Sequence, residues 1–181
     1  MTDTESDWTC ADAAELYGID RWGKDHFSIS RNGEVEVRTG CGGSEHRASL
    51  RQIVAGLEER GLELPIMLRL ENLIEHRIDE LYQGFDKAIE ASGYRNRYRG
   101  VYPIKVNQQG YVVEAINRYG HRHGHGLEAG SKAELLIAMA TLTNRESLII
   151  CNGYKDAEFI DLGLQARKLG FKCIFVIEML K

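Results

Sequence analysis

A chain of 181 residues, 43 % hydrophobic and 28 % charged, has the make-up of a soluble globular domain with a short appendage. Its net charge of −4 offers no electrostatic basis for binding nucleic acid or an anionic membrane surface, so neither is expected as a partner. No apolar run approaches the roughly 20 residues needed to span a bilayer, and the acidic start from Met1 to Asp7 lacks the basic and apolar regions of a signal peptide. Cys10, Cys41, Cys151 and Cys173 are widely spaced and form no CxxC pair, which reads as free thiols in a reducing cytoplasm.

Residues 1–7 read as a disordered tail, and Glu15 to Asp20 as the end of a short helix stopped by Gly18. Phe27 to Ser30 and Val35 to Val37 alternate apolar and polar around Asn32-Gly33, the pattern of a hairpin. So small a hairpin needs a larger sheet or a partner domain to cover its apolar face. Thr39 to Ser44 is a glycine-rich connector. Ser49 to Arg60 predicts a helix with Leu50, Ile53, Val54 and Leu57 on one face, and Pro65 introduces a strand-like run, Ile66-Met67-Leu68. Leu70, Ile74, Ile78, Leu81, Phe85 and Ile89 then recur at helical spacing up to Ser92-Gly93.

Beyond Gly100 the pattern repeats. Strands are expected at residues 101–106, 126–129, 147–151 and 171–177, with helices at 111–119, 131–142 and 157–169 between them. Ser131-Lys132-Ala133-Glu134 is a capping box that opens the second of these helices. Lys105 and Glu128 lie 23 residues apart, as do Glu128 and Cys151, each at the C-terminal end of a strand. Strand–helix units of that length without hairpin signals imply parallel strands with helical crossovers. The fold class is therefore α/β. Neither GxGxxG nor GxxxxGK[ST] follows the first strand, which favours a (β/α) barrel over an open doubly wound sheet. In both, ligands sit at the C-terminal ends of strands. Pro103 inside the first strand implies a bulge or an unpaired amide there.

Val101-Tyr102-Pro103-Ile104-Lys105-Val106 places a lysine near the end of an apolar run. Such an amine either snorkels to solvent or is buried, where desolvation favours the neutral, nucleophilic form used in Schiff-base chemistry. His121-Arg122-His123-Gly124-His125 suggests a metal cluster, but it follows a helix stop and precedes a strand, at the far end from Lys105. No carboxylate or cysteine adjoins it, so it reads as a solvated loop. Asn107 reads as a turn or cap residue, and Asn152, Tyr154 and Lys155 as residues of a loop beside the ligand end.

Three longer motifs carry a family resemblance. Tyr102-Pro103-Ile104-Lys105-Val106-Asn107-Gln108, the run from Gly126 to Leu135, and Cys151-Asn152-Gly153-Tyr154-Lys155-Asp156 together resemble the biosynthetic arginine decarboxylases, which are alanine racemase-like, fold-type III pyridoxal-phosphate enzymes. The resemblance runs from about Tyr17 to the C-terminus. It implies the first half of a (β/α)₈ barrel over residues 46–181, preceded at 1–45 by a hairpin and helical segment belonging to a second β-domain. It implies decarboxylation of L-arginine to agmatine and CO₂ in polyamine synthesis, with the diaminopimelate- or ornithine-type decarboxylases, or a non-catalytic or truncated homologue, as alternatives. Lys105 would then hold pyridoxal phosphate covalently and act as the catalytic residue. Glu128 stands where related decarboxylases carry an acidic residue in a Gly-x-Asp pattern and would face the lysine or the cofactor. Ser131 is first a helix cap and secondarily a phosphate contact. Magnesium as an accessory ion and a homo-oligomeric full-length enzyme are implied by the resemblance alone. Half a barrel would lack most cofactor contacts and expose two strand edges, so the 181 residues alone are expected to be inactive.

Overall fold

The computed structural model describes residues 7–38 and 46–178. The tail expected at residues 1–7 lies, except for Asp7, outside the described residues, as does the connector at 39–44. The chain forms two compact units, Met1–Leu73 and Ile74–Lys181.

The first unit holds α1 (Cys10–Leu16), α2 (Ile19–Gly23), β1 (Phe27–Ile29), β2 (Val35–Arg38), β3 (Arg47–Ser49) and α3 (Leu50–Glu58). Thr9 caps α1: its hydroxyl accepts the Asp12 N–H at 3.2 Å, while the Asp12 carboxylate accepts the Thr9 N–H at 2.8 Å. Gly18 turns the chain with φ +61°, a conformation glycine adopts without strain. The hairpin forms as expected, with Phe27 opposite Val37. The sheet gains a third strand, because Glu36 pairs with Ser49 and Arg38 with Arg47. The compact unit thus runs to Leu73, whereas the sequence suggests a boundary at 45/46. β3 was concealed because Ser49 is also the N-cap of α3, accepting the Gln52 N–H at 3.3 Å. Residues 66–68 form no strand: no ladder partner exists for them among the described residues, and Met67 is exposed.

The unit boundary falls in the first turn of α4 (Glu71–Ser92). The second unit then contains β4 (Val101–Pro103), a one-turn 3₁₀ helix (Ile104–Val106), α5 (Gly110–Gly120), β5 (Gly126–Ala129), α6 (Lys132–Thr141), β6 (Leu148–Cys151), α7 (Ala157–Lys168) and β7 (Lys172–Phe175). All pairings are parallel and follow chain order, β4-β5-β6-β7, with no reversal of direction. A doubly wound sheet would reverse its strand order. This array is therefore the first part of a (β/α) barrel. Ile104, Val113, Leu127, Leu135, Ile149 and Phe159 are fully buried together at its centre. Each such side chain contributes about 1.5–3 kcal/mol of burial. Pro103 produces no bulge. Instead β4 ends there, and the chain turns into the 3₁₀ helix.

A second cluster joins α4 to α5 through Ile78, Tyr82, Val112 and Ile116. The Tyr82 hydroxyl accepts the Gly100 N–H at 3.1 Å and lies 3.1 Å from Nδ1 of buried His125. With the tyrosine donating, that nitrogen must be unprotonated. Burial, followed by the neighbouring His123, pushes the His125 pKa down to about 4. Between pH 6.5 and 4 an unfolded chain therefore takes up a proton that the folded one refuses, so stability falls as pH drops through this window and is flat above it. The full effect approaches roughly 3 kcal/mol. Urea unfolding midpoints at pH 7 and pH 5 are expected to differ in the native sequence and to converge in His125→Gln.

Candidate functional site

Because β4 stops at Pro103, Lys105 stands just past the C-terminal end of the strand. Parallel register sets Pro103 beside Glu128 on β5. These two facts bring the Lys105 Nζ to 3.3 Å from Glu128 Oε1. The side chains differ sharply in surroundings: Lys105 is 58 % exposed and Glu128 is 7 % exposed. The amine is thus not buried, contrary to one of the two expectations for it. It sits on a one-turn helix beyond the strand and reaches solvent, while the carboxylate occupies the dry position. An ammonium open to water screens the attraction, so the pair contributes nearer the ~1 kcal/mol of a surface bridge than the ~3–5 kcal/mol lost on breaking a buried one. Its effect is mainly one of position. The second carboxylate oxygen, Oε2, is buried and has no partner among the described residues. A buried acceptor without a donor is costly, and it marks where a bound group could supply one.

The loops around this pair are tied together. The Ser131 hydroxyl accepts the Glu134 N–H at 3.2 Å, which is the expected cap of α6. The Glu134 carboxylate does not return to the cap residue. It accepts the Gly130 N–H at 2.6 Å and the Gln108 side-chain amide at 3.2 Å, linking the loop after β4 to the loop after β5. Glu134 and Gln108 are site residues that sequence reading missed. The E of the capping box was the available signal, but its second partner lies 26 residues away. Asn107 behaves as a turn residue, its Oδ1 accepting the Gln109 N–H at 3.1 Å. In the loop after β6, Asn152 donates its N–H to the Ala129 carbonyl at 2.9 Å, and Tyr154 is exposed. Among the described residues the buried Lys155 ammonium has no hydrogen bond, and it lies 3.9 Å from Glu178 Oε1.

The histidine segment is not a solvated loop. His123 lies 2.7 Å from Asp79 Oδ1, and Arg122 bridges Asp79 and Glu75, all through α4. The missing carboxylates come from 43 to 47 residues upstream, a separation invisible to local spacing. His125 faces the core instead.

Consecutive parallel strands, with a solvent-reaching amine and a buried carboxylate at their C-terminal ends, are the arrangement of a (β/α) barrel domain, the class of fold that holds its ligands at that end. Residues 75–180 match the family described as pyridoxal-dependent decarboxylase, pyridoxal binding domain, and the chain belongs to that family. It is similar to biosynthetic arginine decarboxylases. The protein of that name from Prochlorococcus marinus (strain MIT 9303) is 46 % identical over 172 residues, which is 94 % of this chain and 26 % of the relative. The one from Synechococcus sp. (strain RCC307) is 46 % identical over 96 % of this chain and 27 % of its own. The solved structure of the biosynthetic arginine decarboxylase SpeA from Campylobacter jejuni superposes with a TM-score of 0.82 at 40 % identity, covering 90 % of this chain and 27 % of that one. The chain thus spans about a quarter of the length of these relatives.

The loops at this end approach more closely than a side chain allows. A Cβ on Gly153 would lie 1.8 Å from the Gly130 carbonyl oxygen, whereas one on Gly84, inside α4, would meet nothing within 4 Å. Gly153→Ala is expected to lower stability by about 1–3 kcal/mol, the range for overpacking. Gly84→Ala should raise it by roughly 0.5–1 kcal/mol, and chemical denaturation of the two variants checks the contrast.

Proposed function

We propose that this chain is part of a pyridoxal-phosphate-dependent decarboxylase that converts L-arginine to agmatine and CO₂ for polyamine synthesis, and that Lys105 Nζ is the amine that carries the cofactor. The single observation behind the residue assignment is the Lys105–Glu128 pair at the strand ends. Family membership supports the cofactor, and the names of the relatives support the substrate. The residues fit such a group: a solvent-reaching amine stands beside a buried carboxylate oxygen that lacks a donor.

When bound, pyridoxal phosphate supplies a sink for the electron pair released on loss of CO₂. The chain's own residues prepare that chemistry. Lys105 must lose its ammonium proton before its lone pair can attack, and Glu128 Oε1, 3.3 Å away, is placed to receive it. Glu134 and Gln108 hold the flanking loops in register. Ser131 Oγ accepts the α6 N–H, which leaves its own O–H to donate to an anionic group at the helix N-terminus. The described residues of the second unit gather no set of three acidic, histidine or cysteine ligands, so no residue here is assigned to magnesium. The free thiols of Cys151 and Cys173 support a reducing, cytoplasmic setting.

The test uses the complete gene product, assayed with arginine, ornithine and diaminopimelate. Arginine is expected to be the preferred substrate. Lys105→Ala should remove the cofactor's visible absorption band and lower decarboxylation by at least roughly 10³-fold. Glu128→Gln should keep the band and lower turnover by roughly 10²-fold. Full activity and an intact band in Lys105→Ala would sink the assignment.

A further inference from the structure

The opposite end of the sheet, where β4, β5 and β6 begin, has a feature that the proposed decarboxylation does not use. Arg97, Arg99, Arg122, His123, Asn144 and Glu146 line a cavity of about 170 Å³. Barrel enzymes place their chemistry at the other end of the strands, and conserved structure at this end ordinarily serves stability.

Arg97 and Arg99 precede β4 on non-helical backbone, and Tyr98 between them fixes their direction. Its ring stacks on Phe85 at 3.8 Å and meets Tyr82 edge-on at 5.1 Å. With the tyrosine committed to α4, the two arginines flanking it both reach the cavity. Arg122 comes from the turn after α5, and Asn144 and Glu146 from the loop between α6 and β6.

The charges around the cavity are unequally matched. Asp79 and Glu75 take Arg122, and Asp79 also takes His123. The Glu146 carboxylate is taken by Lys172 on β7. Among the described residues neither Arg97 nor Arg99 forms an ion pair. Arg99 donates only to the neutral Glu146 carbonyl, at 3.2 Å. Two guanidinium groups in no direct salt bridge of their own therefore line one concavity, in a chain whose net charge is −4; the one lining carboxylate that feels both of them, Glu146, is already held by Lys172. Guanidinium forks suit phosphate oxygens bidentately, and the Asn144 and His123 side chains add polar groups beside them. The size narrows the occupant. About 170 Å³ falls well below the ~300–1,000 Å³ of pockets that enclose whole organic ligands, but it accommodates one or two phosphate groups.

We propose that this cavity binds a phosphate or diphosphate group, at a site separate from the one containing Lys105. The group comes either as a free inorganic anion or as the terminal phosphates of a nucleotide whose remainder stays in solvent. The reading stands independently of the proposed decarboxylation.

Isothermal titration of the complete gene product, saturated beforehand with pyridoxal phosphate, tests it at low ionic strength with inorganic phosphate, diphosphate and ADP as probes. One equivalent of diphosphate is expected to bind. Affinity should fall at least tenfold in the double variant R97Q/R99Q and recover in part in R97K/R99K. Binding of ADP as tight as that of diphosphate supports the nucleotide source, and binding of the inorganic anions alone supports the free one. No heat with any probe, or equal affinity in R97Q/R99Q, overturns the proposal. Because the readout is heat of binding, this outcome is independent of whether arginine is decarboxylated.

Discussion

Glu128 is a carboxylate placed at a dry position of the second unit, and the surroundings of the site follow from that placement. It sits on β5, flanked by β4 and β6, where every strand position is buried. A lone charge there would be strongly unfavourable. One oxygen is relieved by the Lys105 ammonium, which comes from the turn that begins when Pro103 ends β4. Among the described residues the other oxygen has no donor. Such a residue weakens the fold unless something completes it, which is how functional positions commonly depart from the packing that stability alone would select.

The two ends of the sheet are organised by different physics. At the C-terminal ends, close backbone approach and a shared carboxylate hold the loops: Gly153 lies against the Gly130 carbonyl, and Glu134 gathers Gly130 and Gln108. At the N-terminal ends, aromatic stacking and ion pairs predominate. Tyr82 stacks on His123 at 4.2 Å while its hydroxyl serves Gly100 and His125. α4 is thereby bound to the segments entering β4 and β5, and the arginines between these contacts are left to face the cavity.

Much of this was legible in the amino-acid order. The long helix, the strand at 126–129, the cap at Ser131 and the 23-residue repeat all rest on local periodicity, which burial on one face enforces in any fold. The lysine and glutamate could be named because their spacing placed both at strand ends. What was misread depended on partners distant in the chain. β3 was hidden behind the cap function of Ser49, and residues 66–68 have strand-like composition but no ladder partner among the described residues. The histidine segment looked solvated because Asp79 and Glu75 lie on a helix more than 40 residues earlier.

By itself the sequence determined the α/β class, the order of the strands and the residue types that meet at the C-terminal ends of the strands, since hydrophobic period, turn glycines and caps act over a few residues. Only the tertiary structure decided that the amine is open and the carboxylate buried, that Glu134 serves two loops, and that Arg97 and Arg99 face a common cavity. Burial and charge pairing are properties of what surrounds a side chain. Those surroundings come from parallel register and helix packing, which bring together residues that the chain keeps far apart.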